Sequence, residues 1–184
     1  MSNRIPSVGT LVEAVAFAAD KHRAQRRKDI AASPYINHPI ALANVLANEG
    51  GVTNLTALCA AVLHDTVEDT DTTEQELAER FGNDITSVVM EVTDDKSLDK
   101  ARRKELQIEH APHMSYAARL VKLADKISNL RDILTSPPVD WSTERKQAYF
   151  DWAAQVVEGL RGTHPTLEGL FKAVYARRVE LGCQ

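Results

Sequence analysis

Nine times along this 184-residue chain, apolar side chains recur at three- and four-residue intervals until a glycine, a proline or a polar capping residue ends the pattern. That period belongs to helices with one buried face, whereas the two-residue alternation of a half-buried strand is scarce. Residues 9–25 carry Leu11, Val12, Val15, Ala16 and Ala19 as one stripe. Pro39 suits the first turn of a second helix, with Ile40, Ala43, Val45 and Leu46 as its apolar face and Gly50-Gly51 as its stop. A third helix is predicted over residues 54–64, capped by Thr53. Thr73 and Glu76 read as a capping box for a fourth, which Gly82 ends. Residues 84–92, 100–110 and 115–134 continue the pattern. Pro137-Pro138 and His164-Pro165 break the chain before two more helices, one starting near Ser142 and one over about 166–181. No internal repeat, low-complexity segment or long linker is visible. Residues 1–184 are therefore expected to form a single all-α domain of about nine helices.

Three places put polar residues where this pattern expects core or turn. In "AAVLHDTVEDTD", residues 60–71, an apolar run ends in His64 and four acids follow within seven residues. In "SPYINHPI", residues 33–40, His38 stands just before the helix-opening proline. In "VKLADKISNLRD", residues 121–132, Asp125 interrupts a stripe made by Val121, Leu123, Ala124, Ile127 and Leu130, with Asn129 four residues on along the same face. Buried charge is costly unless it is paired or bound to a cation. His38, the adjacent His64-Asp65 and Asp125 offer two imidazoles and two carboxylates with no thiolate. Such a donor set suits Mn²⁺, Fe²⁺ or Zn²⁺ rather than a structural zinc clip. Glu68 and Asp69 follow His64 and Asp65 by four residues each. If the helix persists for one more turn, both acids lie beside the metal ligands, where they can handle a water proton or protonate a leaving group. Each residue also has an ordinary reading as a loop-packing side chain or a solvated helix charge.

One basic stretch, "KHRAQRRKD" at residues 21–29, holds five Lys/Arg in a chain whose formal net charge is −4. It reads equally as a solvated helix end or as a phosphate clamp; His22 within it reads as structural or surface rather than as a ligand. The acidic balance argues against binding long nucleic acid. No apolar run is long enough to span a membrane, and residues 1–10 lack a signal-peptide core. Cys59 and Cys183 form neither a disulfide framework nor a thiolate metal site. A reducing cytoplasmic setting is expected.

The strings "RRKD…SPYINHPI", "AAVLHDTVEDTD", "EVTDDKSLDKARRKELQIEHAPH" and "LVKLADKISNLRD" together resemble the hydrolase domain of the RelA/SpoT homologues within the HD phosphohydrolase superfamily. The likeness runs from about Val12 to Leu181 and is nearest to the stand-alone small alarmone hydrolases, including the animal SpoT-like members. It implies an all-helical HD fold and a Mn²⁺-dependent hydrolase acting on a guanosine polyphosphate, with Fe²⁺ or Zn²⁺ as less favoured metals. The reaction implied is removal of the 3′-pyrophosphate from (p)ppGpp, giving GDP or GTP and pyrophosphate. By the same resemblance His38, His64, Asp65 and Asp125 hold the metal, and Glu68 and Asp69 act on the water or the 3′-oxygen. Arg27 and Lys28 correspond to a pair that packs against guanine and contacts phosphate. Asn129 corresponds to a residue near the ribose, and Tyr149 to one near the phosphates. Residues 29–33 have no assigned role. A chain of this length is not expected to carry the synthetase domain of bifunctional relatives. Two other readings stay open: a different HD nucleotide phosphohydrolase, such as an NADPH 2′-phosphatase, and a catalytically silent alarmone sensor.

Overall fold

The computed structural model describes residues 5–182. Cys183 and the first four residues, which enter the thiol and leader readings above, lie outside that range. Among the described residues the regular structure is helical, apart from one isolated antiparallel bridge between Arg26 and Pro34. The helices are α1 (Val8–Lys21), α2 (Asn37–Asn44), α3 (Leu55–Leu63), α4 (Thr66–Asp69), α5 (Glu74–Phe81), α6 (Asn83–Val92), α7 (Lys100–His110), α8 (Tyr116–Thr135), α9 (Thr143–Glu158) and α10 (Pro165–Ala176). Nine of these correspond to the nine predicted segments. The tenth, α4, is a single turn just beyond the predicted end of the third helix at residue 64.

Several predicted ends move, each for a local reason. The first helix stops at Lys21, where His22 caps it through its backbone N–H, so the basic stretch 23–29 is a turn rather than a helix end. The second begins at Asn37, two residues before Pro39. Proline is harmless there because the first-turn N–H groups have no intrahelical partner. It finishes as a π-helical turn, Val45–Glu49, before Gly50. Asn54, not Thr53, caps α3, its Oδ1 accepting from the Ala57 N–H at 3.0 Å. The predicted capping box is only half formed: the Thr73 hydroxyl accepts from the Glu76 N–H, but the Glu76 carboxylate turns away to the Lys21 ammonium at 3.1 Å. The last helix ends at Ala176 and tightens into a 3₁₀ segment over Arg177–Gly182.

Two helices form the centre. In α3 every residue from Ala57 to Leu63 is buried, so this helix is apolar all round rather than striped. It packs against α1, α2, α6 and α8. The 20-residue α8 is buried along most of its length and also contacts α2, α6, α9 and α10. Leu167 of α10 packs tightly over Gly50: a Cβ there would lie 2.8 Å from the Leu46 carbonyl oxygen and 2.8 Å from Leu167 Cδ2. The polar interruptions thus sit at the end of α3, residues 64–65, and within the buried α8, residue 125.

Candidate active site

Helix α3 cannot continue past His64, because Asp65 adopts φ −97°, ψ −3° and the chain turns before α4. The Thr66 hydroxyl donates to the Leu63 carbonyl at 2.7 Å and so closes the helix end. His64 Nδ1 lies 2.9 Å from the Ala61 carbonyl. A carbonyl can only accept, so Nδ1 carries the proton and a neutral His64 presents the lone pair of Nε2. That Nε2 faces Asp65 Oδ2 at 3.0 Å. Two electron-pair donors held this close call for a proton or a cation between them. Burial acts to lower the His64 pKa, but the Asp65 carboxylate outweighs it and lifts the value to about 9. Burial would raise Asp65, and His64 overrides it to hold the carboxyl well below the usual range.

His38 arrives from the first turn of α2, its ring centroid 5.3 Å from that of His64. One ligand atom each of His38, His64 and Asp65 lie within 4.8 Å of one another. Donors about 2.1 Å from a shared ion stand at most about 4.2 Å apart, so these three atoms are near the spacing at which they would hold one cation between them. Asp125 on α8 stands outside this trio but next to it, with Oδ1 3.4 Å from His38 Nε2. Its carboxylate is held by Lys126 Nζ at 3.0 Å and by Asn129 Nδ2 at 2.6 Å. Buried His38 Nδ1 has no hydrogen-bond partner; the nearest acid, Asp132, is 3.9 Å away. Two imidazoles and two carboxylates on buried helices fit a divalent cation of the borderline or hard type.

The acid pair sits on α4. The extra turn beyond residue 64 forms as a separate helix after a break rather than as a continuation of α3, yet the four-residue spacing survives because the Asp69 N–H reaches the Asp65 carbonyl at 2.8 Å. Glu68 Oε2 accepts from the Asp94 N–H at 3.2 Å and its Oε1 is 3.6 Å from Arg103. Burial, with Asp94, Asp65 and Asp69 nearby, raises the Glu68 pKa. Asp69 is ion-paired with Lys96 and accepts from Gln25 Nε2 at 3.4 Å.

Beside these groups opens a cleft of about 350 Å³ whose walls include Arg27, Lys28, Tyr35, Asp69, Asn129, Asp132, Trp141 and Tyr149. Arg27 and Lys28 reach it because residues 26–34 fold back through the Arg26–Pro34 bridge. The Asp29 carboxylate closes that turn on the Ser33 N–H at 3.0 Å, and Lys28 is clasped by the Val139 N–H to its carbonyl at 3.0 Å. The Arg27 guanidinium is paired with Asp132. Lys104 lies over the Trp152 ring at 4.8 Å and Arg145 over Trp141 at 4.5 Å. Burial, and then Arg145, Lys28 and Arg103, lower the Lys100 pKa, as expected where cations crowd together. Aromatic faces and clustered cations make a surface for a purine carrying phosphates.

All ten residues singled out from the sequence therefore lie at this centre or line its cleft. His22 is buried, its Nδ1 2.6 Å from Gln25 Oε1. Sequence reasoning missed Tyr35, whose hydroxyl donates to Asp65 Oδ2 at 2.5 Å. It also missed Asp132, Lys96, Lys126 and Trp141. Tyr35 lies in the quoted "SPYINHPI", but in a turn, where no period marks a side chain as inward.

Residues 14–157 match the family described as HD domain. The chain is 57% identical over 159 residues to guanosine-3′,5′-bis(diphosphate) 3′-pyrophosphohydrolase MESH1 of Xenopus tropicalis, covering 86% of this chain and 89% of that one. It is 56% identical over 168 residues to the Homo sapiens MESH1, covering 91% and 94%. A solved structure described as a metazoan ortholog of SpoT that hydrolyzes ppGpp superposes with a TM-score of 0.90 at 46% identity, covering 95% of this chain and 98% of that one. With the buried His-Asp centre in place, these likenesses show that the chain belongs to the HD-domain family, within the group of the stand-alone MESH1-type hydrolases.

Proposed function

We propose that this chain hydrolyses guanosine 3′,5′-bis(diphosphate) and its pentaphosphate analogue at the 3′ position, using a divalent metal that we take to be Mn²⁺. The observation that carries this reading is the junction of the two half-sites: an imidazole and carboxylate centre with two further acids beside it adjoins, through Tyr35, Asp69 and Asn129, a cleft lined by Arg26, Arg27, Lys28 and the aromatic Trp141 and Tyr149. The MESH1 relatives and the structural neighbour act on this substrate class by name.

His38, His64, Asp65 and Asp125 would hold the metal, which supplies Lewis acidity toward phosphate oxygens. Tyr35 orients Asp65, and Lys126 with Asn129 orients Asp125, as the partners of metal-binding carboxylates do. Water oxygen bonds to the phosphorus nearest the ribose while the bond from that phosphorus to the 3′-oxygen breaks. Glu68 takes the water proton, and Glu68 or Asp69 returns one to the departing 3′-oxygen, leaving a free 3′-hydroxyl and pyrophosphate. Burial suits Glu68 to this exchange, since its raised pKa brings it nearer the working pH. Arg27 and Lys28 bind base and phosphate, Asn129 lies by the ribose and Tyr149 by the phosphates. No described helix is long and apolar enough to cross a membrane; we place the activity in the cytoplasm, where a buried free thiol such as Cys59 persists.

Pyrophosphate release from ppGpp is the test, run with Mn²⁺, with Mg²⁺ and with chelator, beside an NADPH arm read for free phosphate. Metal-dependent release that chelator abolishes supports the proposal. Phosphate from NADPH with none from ppGpp transfers it to a nucleotide 2′-phosphatase. Undiminished ppGpp binding in chelator with no turnover in metal makes the chain a sensor.

A further inference from the structure

Helix α7 belongs to the stretch "EVTDDKSLDKARRKELQIEHAPH", for which none of the roles above accounts. It has no fully buried residue; Ile108 packs partly against the core, and the Trp152 indole N–H donates to the Lys104 carbonyl at 3.1 Å. Two further side chains, Gln107 and Arg103, reach toward the active site. Gln107 Oε1 accepts from Lys126 Nζ at 2.9 Å. Gln107 Nε2 donates to both oxygens of Asp94, at 3.0 and 2.8 Å. The direction of this amide is fixed, because turning it over would set its NH₂ against an ammonium and its oxygen against a carboxylate. One turn earlier, Arg103 approaches Glu68.

What lies at the two ends gives the amide its significance. Lys126 is 2% exposed and donates to Asp125 Oδ2 at 3.0 Å, with its ammonium also 4.3 Å from the Trp152 ring centroid. Asp94 is the second residue of the 93–99 segment between α6 and α7, and that segment carries a partner for each acid of the pair. The Asp94 N–H holds Glu68, and Lys96 pairs with Asp69. We propose that Gln107 is a positioning residue for the hydrolytic reaction: it locks the 93–99 segment, and through it Glu68 and Asp69, to the Lys126–Asp125 side of the metal centre. The proposal rests on the hydrolase reading above. Without the Gln107 amide, Asp94 loses its side-chain donors and Lys126 one acceptor, and the segment is free to carry Glu68 and Asp69 away from their working positions. Small misplacements of this kind act on turnover more than on binding.

The test exchanges the partners. In Gln107→Glu, two carboxylates face each other across the relay. In Gln107→Glu with Asp94→Asn, the negative charge moves from position 94 to position 107, the new amide at 94 donates back, and Lys126 keeps its acceptor. The single variant should lose about tenfold or more in kcat with KM little changed, the scale of one lost hydrogen bond to a charged group. Amide hydrogen exchange at Asp94, read by NMR, should speed up in the same variant. The double variant should recover kcat to within about threefold of the original and slow exchange at position 94 again. Rescue separates positioning from packing, since a merely structural role for α7 would not be restored by swapping charges. The relay is overturned by a single variant with unchanged kcat and exchange, or by a double variant that stays as slow as the single one while melting like the parent. If Gln107→Glu does not fold, Gln107→Met, which is neutral and of similar size, replaces it as the single variant, and unchanged kcat and Asp94 exchange in it overturn the relay. If the unaltered chain does not cleave ppGpp, the hydrolase reading fails separately, and Asp94 exchange alone decides whether the relay exists.

Discussion

Replacing Glu68 with glutamine isolates proton handling from architecture. Glutamine keeps an acceptor for the Asp94 N–H now bonded at 3.2 Å and fills the same volume, so the loop above it has no reason to move. Glu68 is not among the three residues whose ligand atoms cluster, so metal affinity should persist. What is lost is a group able to accept and return a proton, an effect of about 10²–10⁴-fold in rate, or about 2.7–5.5 kcal/mol of barrier. Stability should change in the opposite sense. Burial raises the folded-state pKa of Glu68, so folding favours its neutral form. Its presence therefore costs stability as pH rises through the ordinary carboxylate pKa toward the raised one, and the glutamine variant escapes that cost. The assay is steady-state pyrophosphate release with Mn²⁺ titrated by calorimetry on the same preparations, and urea unfolding at acid and neutral pH. A variant that binds Mn²⁺ normally and turns over near the original rate refutes the role. A variant that loses Mn²⁺ would make Glu68 a ligand instead.

Four further outcomes are expected. Asp65→Ala should lose metal and turnover together, because it removes a clustered donor and strands the Tyr35 hydroxyl; calorimetry and rate measured on one sample decide this. Gly50→Ala should destabilise by about 1–3 kcal/mol, since its Cβ meets a carbonyl oxygen at 2.8 Å that cannot easily retreat, and a thermal melt reads the loss. The hydrogen-bonded Arg131 guanidinium holds Glu49 below its ordinary pKa, so the pair's contribution is present above that pKa and lost as pH falls through the lowered one. Arg131→Met should accordingly lower the urea midpoint at pH 7 and converge with the parent in acid. Burial pushes the Cys59 thiol up to about 11, so in a Cys183→Ser background a disulfide reagent should label Cys59 only under unfolding conditions.

The helical class and the sequence of nine segments were legible because a 3.6-residue period and its Gly, Pro and Ser/Thr/Asn punctuation are local properties. Ends were less legible. Whether Thr53 or Asn54 caps α3 depends on one backbone turn, and Glu76 leaves its capping role because Lys21, 55 residues away in the chain, offers a better partner. The separation of α4 from α3 was likewise invisible, since His64 and Asp65 fit an uninterrupted helical spacing as well as a broken one.

The sequence by itself determined that the chain is helical and that His38, His64-Asp65 and Asp125 interrupt apolar patterns; resemblance to a known family supplied their joint meaning. Tertiary structure decided which groups meet. A period says that a face is buried, not against which neighbour, so nothing local could reveal that α3 and α8 pack together and bring residues 64 and 125 to one centre. The supporting contacts are further from view still. Tyr35 with Asp65, Arg27 with Asp132 and Gln107 with Lys126 join residues 30, 105 and 19 positions apart. Each depends on donor and acceptor arriving within a few tenths of an ångström, which only the packed helices can arrange.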